Sequence, residues 1–130
     1  KTIKEIAEGV NIKEIAYDRW NASQLVIDLV DDGLPMTPFG MGFLSQSAPT
    51  KELEKIVIGK ELNHGGNKVL RWMCSNVAIK SDPAGNIKLD KAKSTEKIDG
   101  MIALVMALGS YMNGNTKQDN PYDDRGVLFI

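Results

Sequence analysis

Apolar residues recur at two different periods along this 130-residue chain, and the change of period marks its elements. In "KTIKEIAEGVN", Ile3, Ile6, Ala7 and Val10 fall at helical spacing, with Gly9 and Asn11 placed to end a helix. "IKEIAYD" follows; it is short, β-branched and aromatic, which predicts a buried strand from Ile12 to Asp18. In "NASQLVIDLVDDG", Asn21 is the cap candidate, Leu25, Val26, Leu29 and Val30 share a stripe, and Gly33 closes an amphipathic helix. Two prolines in Leu34–Phe43 forbid a helix interior and predict an extended, edge-type strand. Strand, helix and strand in this order predict a βαβ unit.

Helical spacing resumes in "SAPTKELEKIVIGKEL", with Ser47 or Thr50 as cap, Pro49 in the first turn and Leu53, Ile56 and Val57 inward. Gly65 and Gly66 predict a turn, and Val69, Leu70, Trp72 and Met73 the buried side of a helix ending near Asn76. The polar approach to that helix, His64 to Asn67, should be exposed. Val77–Lys80 and Ile87–Leu89, joined by Asp82, Pro83, Gly85 and Asn86, predict a hairpin. A last helix, "KSTEKIDGMIALVMALG", takes Ser94 or Thr95 as cap and is hydrophobic at every position from Met101 to Leu108, which predicts burial on all sides. The turn-rich stretch from residue 113 to 130 is expected to be an irregular tail whose last apolar residues dock locally.

Length and composition set bounds on this plan. A chain of this size is one domain's worth, able to bury about two-thirds of its unfolded surface. No apolar run approaches the roughly 20 residues of a membrane span. One cysteine excludes an internal disulfide, and one histidine with one cysteine cannot build a nitrogen–sulfur zinc site, so a metal would be a hard ion on carboxylates. A net charge of −1 gives no global argument for nucleic acid, although local basic clusters can still bind it. The opening "KTIKEIAEGV" has neither an initiator methionine nor a signal-like segment, so an excerpt of a longer protein is expected.

Two acids stand out. Asp99 shares a helical face with Ile102, Ala103 and Met106, where an unpaired charge is costly. Either the helix macrodipole accounts for it, as for Glu96, or the carboxylate is functional. Asp18 closes the first strand, and in open α/β sheets ligands gather at the carboxyl ends of strands. Its alternative role is a cap or loop acid before the next helix. Two such carboxylates can bridge divalent cations. Asp28, Asp31 and Asp32 read as a solvated helix face. Lys88, Lys91, Lys93 and Lys97 lead to Asp99, either as a solvated loop or as a phosphate contact. His64 is either incidental or catalytic. A P-loop motif is absent.

"IAYDRWNASQLVIDLVDDG", the stretch from "ELNHGGNKVLRWMCSN" through "DPAGNIKLDKAKSTEKIDGMIALVMALG", and the closing "PYDDRGVLFI" together resemble the C-terminal nuclease domain of tailed-phage terminase large subunits. The resemblance covers nearly the whole chain in the right order. It implies an α/β, RNase H-like (RuvC-like) mixed sheet flanked by helices, with residues 1–112 as the later part of the nuclease domain and 113–130 as the tail. The implied activity is endonucleolytic cleavage of concatemeric viral DNA during packaging. Asp18 and Asp99 match the family's second and third acidic positions, which hold two Mg²⁺ or Mn²⁺ ions for phosphodiester hydrolysis. His64, Asn67 and Arg71 match the family's "HGGN" region, as DNA contacts or loop stabilisers. Lys88, Lys91 and Lys97 are further candidates for DNA contact, Lys97 being turned away from the Asp99 face by helical geometry.

The family's first metal-binding aspartate lies on a strand upstream of Lys1, so the expected domain is incomplete and weak or inactive in isolation. Viral double-stranded DNA, the packaging ATPase domain, the small terminase subunit and the portal protein are the implied partners, in the cytoplasm of a bacterial host. Two other readings compete: a resolvase-like RNase H-fold nuclease, and a catalytically silent docking module for portal or ATPase.

Overall fold

The computed structural model describes residues 2–20 and 23–119, arranged as α1 (Thr2–Gly9), β1 (Ile15–Tyr17), α2 (Ser23–Asp31), β2 (Met36–Pro38), α3 (Phe43–Ile58), α4 (Lys68–Asn76), β3 (Ile79–Ser81), β4 (Ile87–Leu89) and α5 (Asp99–Asp119). The chain divides into two compact units, Lys1–Gly40 and Met41–Ile130, where a single core was expected. The described strands form two separate two-stranded sheets, one per unit, rather than the expected mixed sheet.

The first unit is the predicted βαβ motif. β1 and β2 are parallel, with Ile15 opposite Met36 and Tyr17 opposite Pro38. Pro38 has no amide proton to donate, and it sits at the strand's last position, where the loss is tolerated. α2 ends as predicted: Gly33, at φ +82°, donates to Val30 O while Leu34 donates to Leu29 O, the paired bonds of a Schellman stop. Of the predicted stripe only Leu29 is buried; Leu25 and Val30 face solvent. Lys4 Nζ pairs with Asp32 Oδ2 at 2.6 Å, joining α1 to the end of α2. The cap candidate Asn21 lies outside the described residues.

In the second unit Leu53 of α3, Met101 and Val105 of α5, and Ile98 just before α5 form the core, with Leu70 and Met73 of α4 packed against it. α3 begins at Phe43, behind the extended Gly42, and not at Ser47 or Thr50; Pro49 therefore lies inside the helix. Ser47 is free for another task, because its buried Oγ accepts from Ile87 N at 3.1 Å and receives β4. Thr50 turns its hydroxyl back onto Gln46 O at 2.7 Å. The hairpin forms as predicted, with Ile79 opposite Leu89 and Ser81 opposite Ile87. Asp82 ties its turn by accepting from both the backbone N and the Nδ2 of Asn86. That side-chain bond is the main cause holding the Asp82 carboxyl below its usual range.

Two expectations of burial fail. Val69 and Trp72, on α4, are 60% and 47% exposed, while Leu70 and Met73 make the contacts to α5. A nine-residue helix presents only a narrow stripe to one neighbour, so its flanking apolar residues stay outside. α5 is likewise buried along one side, at Met101, Val105 and Met106, with Ala103 and Ala107 exposed. Its helix continues through Asp119, so residues 113–119 are not an irregular tail. Nothing in that stretch forbids helix, since it contains no proline. Residues 120–130 lie outside the described residues.

Candidate active site

The segment between β4 and α5 positions the acid that the sequence singled out. Asp90, buried at the end of β4, accepts from Ala92 N and Lys93 N with Oδ1, and its carbonyl accepts from Ser94 N and Oγ. Ser94 Oγ also accepts from Ala78 N at 3.1 Å. Thr95 donates from its backbone N to Asn76 O and from Oγ1 to Asn76 Oδ1, and Asn76 Nδ2 donates to Lys97 O. Ser94 and Thr95 therefore fasten the loop to α4 and the hairpin, and they do not cap α5. The helix starts later, at Asp99, with Ile98 O accepting from Met101 N and Ile102 N.

That later start overturns the expected desolvation of Asp99. Its side chain is 61% exposed, since the core is entered by Ile98 before it and Met101 after it. Lys91 Nζ donates to Asp99 Oδ1 at 2.5 Å. This bond, then the charge of Lys91 and more weakly that of Lys97, holds the Asp99 carboxyl below its ordinary range. Lys91, Glu96, Lys97, Ile98 and Asp99 line a small, mainly polar cleft of about 120 Å³. A carboxylate in the first turn is also favoured by the exposed amides and dipole of α5. Gly100 N, the next amide, donates to Met73 Sδ at 3.2 Å.

Asp18 follows β1 directly, at the carboxyl end of the parallel pair, and its Oδ1 accepts from Trp20 N at 3.1 Å. It belongs to the first unit and Asp99 to the second. Both are hard oxygen donors of the type Mg²⁺ and Mn²⁺ take, and Mg²⁺ commonly uses one or two carboxylates completed by water and substrate phosphate. The two residues fit such an ion in donor type. Among the described residues no three His, Cys, Asp or Glu side chains gather as a ready-made ligand cluster.

The remaining candidates divide. His64 Nδ1 accepts from Asn67 N, and Asn67 Oδ1 accepts from Leu70 N at 2.9 Å as the N-cap of α4, so these two order the helix start after the Gly65–Gly66 turn. Arg71 lies one turn on and faces a larger cleft with His64. Lys88 Nζ donates to Met41 O at 3.2 Å and lies 5.0 Å from the Phe43 ring centre, which engages it with the protein itself. Lys91 and Lys97 stand beside Asp99. Sequence reasoning missed Asp90 and Asn76, whose buried polar groups hold the loop; an acid at a strand end with a serine four residues on was the available signal for Asp90.

Comparison with known proteins supplies the frame for this geometry. The family described as "Terminase large subunit, endonuclease domain" matches residues 1–115. The chain is 35% identical over 124 residues to the large terminase subunit of Enterobacteria phage HK97, covering 94% of this chain and 25% of that protein. It is 33% identical over 116 residues to Protein YmfN of Escherichia coli K12, covering 85% of this chain and 26% of that one. The crystal structure of the HK97 bacteriophage large terminase superposes with a TM-score of 0.77 at 36% identity, over 84% of this chain and 23% of that chain. The chain thus spans about a quarter of the length of these relatives, and its fold is of the α/β, RNase H-like class. The match over residues 1–115 and the identity to HK97 place the chain in the terminase large subunit endonuclease domain family.

Proposed function

We propose that this chain is part of a metal-dependent DNA endonuclease that hydrolyses phosphodiester bonds of concatemeric viral DNA during packaging, with Asp18 and Asp99 as its acidic residues. The observation that carries this reading is the setting of Asp99: an exposed carboxylate on the first residue of α5, flanked by Lys91 and Lys97 in a small polar cleft. Two divalent cations, Mg²⁺ or Mn²⁺, would be held by Asp18 and Asp99 and would supply acidification of the attacking water and stabilisation of the leaving 3′ oxygen. Lys91 and Lys97 hold the DNA backbone by charge. His64 and Asn67 order the approach to α4, and Arg71, with the less available Lys88, adds backbone contacts. The ATPase domain, small terminase subunit and portal are the protein partners, in the bacterial cytoplasm.

The test is plasmid cleavage in Mn²⁺ by this chain and by a version extended upstream through the strand expected to carry the first aspartate, each with Asp99→Asn. Cleavage by the extended protein that disappears on substitution supports the nuclease. No cleavage by either favours the silent docking module for portal or ATPase.

A further inference from the structure

The first amides of a helix have no acceptor within the helix, and Ile98, the residue before α5, carries no side-chain oxygen with which to cap it. Gly100 N, the amide directly after Asp99, donates instead to Met73 Sδ of α4 at 3.2 Å. A thioether is a weak acceptor, so packing must hold it in place. Met73 lies against the core of Leu53, Ile98, Met101 and Val105. Gly100 makes the approach possible, because a Cβ there would lie 2.8 Å from Met73 Sδ and 3.4 Å from Leu70 Cδ1.

Met73 and Asn76 stand three residues apart on α4 and so share a face. Asn76 Nδ2 donates to Lys97 O at 3.5 Å, two residues before Asp99, and Met73 takes the amide one residue after it. One face of α4 therefore holds the backbone on both flanks of the acid. The Asp99 side chain is exposed and meets Lys91, so burial does not place it; the backbone on either side does.

We propose that Met73 is a positioning residue for Asp99: its thioether fixes the Gly100 amide, and with it the start of α5, which sets where the carboxylate is presented to a divalent cation. This rests on the proposed role of Asp99 as a metal-binding acid. Met73 acts through the peptide that joins Asp99 to Gly100, rather than by touching the ion or the DNA.

Two variants of the full chain remove the bond from opposite sides. Met73→Leu keeps the volume but has no acceptor, and Gly100→Ala displaces the flexible thioether while adding a better helix former. Circular dichroism verifies folding; should one variant fail to fold, the other decides. Without metal, NMR gives the exchange rate of the residue 100 amide, corrected for residue type, and the Hα–Hβ couplings of Asp99. With Mn²⁺, electron paramagnetic resonance gives the affinity, and Asp99→Asn is the control for the ion's ligand. For a bond closed nine-tenths of the time, each variant raises the exchange rate about tenfold, averages the Asp99 couplings toward free rotation, and weakens Mn²⁺ binding about tenfold. Unchanged exchange or unchanged couplings in either folded variant overturn the proposal. Where Asp99→Asn weakens Mn²⁺ binding, changed couplings with an unaltered affinity also overturn it and confine Met73 to capping α5. Equal Mn²⁺ binding by wild type and Asp99→Asn overturns the metal role of Asp99 instead, and the metal-free couplings then decide alone whether Met73 positions its carboxylate.

Discussion

Lys91 Nζ donates to Asp99 Oδ1 at 2.5 Å, tying a loop cation to the first residue of α5. Both side chains are largely exposed, so the pair adds little to stability. Its effect is on protonation. Lys91 by its hydrogen bond and charge, and Lys97 by charge, keep Asp99 ionised to lower pH than an ordinary aspartate. Because the folded-state value is depressed, the contribution is complete above the ordinary carboxylate range and is lost as pH falls through the depressed value. Lys91→Met should therefore raise the Asp99 pKa toward the ordinary range, read from the carboxyl carbon shift in an NMR titration; an unchanged titration would contradict the pairing.

Ile98 is 1% exposed and precedes Asp99, so it anchors the start of α5 in the core. Ile98→Ala removes three buried carbons and should cost about 3 kcal/mol. Urea denaturation measures the loss, and a cost below about 1 kcal/mol would mean that the site collapses around the smaller side chain.

Asn67 caps α4 through its bond from Leu70 N. Asn67→Ala should destabilise by about 1 kcal/mol, whereas Asn67→Asp keeps the cap and adds a favourable charge at the helix start. If Asn67 also touches DNA, Asn67→Asp weakens binding in fluorescence anisotropy while thermal stability holds. Equal DNA affinity in the two proteins confines Asn67 to capping.

Lys60 has φ +57° just past α3, with its N donating to Val57 O and Glu61 N donating to Ile56 O. This is the left-handed stop that glycine usually fills, but Gly59 stands one position early. Lys60→Gly should relieve strain and stabilise the protein by up to about 1 kcal/mol, measured by thermal unfolding. A destabilised variant would show that the lysine side chain outweighs the backbone strain.

In the proposed function Lys97, which lines the same cleft as Asp99, contacts a DNA phosphate. Lys97→Ala should weaken binding alike on DNAs of different sequence and reduce the slope of log K against log salt by about 0.9. A change confined to one sequence would instead indicate a base contact.

Local pattern along the chain was enough for the elements whose signals are short-range. The βαβ order, the Gly33 stop, the Gly65–Gly66 turn and the β4 span Ile87–Leu89 all appear where periodicity and turn chemistry predict them. The starts of α3 and α5 were not legible. A cap is a choice among neighbouring Ser, Thr, Asp and Gly residues that tertiary partners make: β4 claims Ser47, while Ala78 and Asn76 claim Ser94 and Thr95. The same competition decided the site. Sequence singled out Asp99 as an acid set against an apolar helix, but it could not foresee that Asp90 and Asn76 would hold the preceding loop, delay the helix to Asp99 and leave that carboxylate exposed beside Lys91. Spacing along one helix fixes which residues share a face; the neighbours packed against it determine which face is dry.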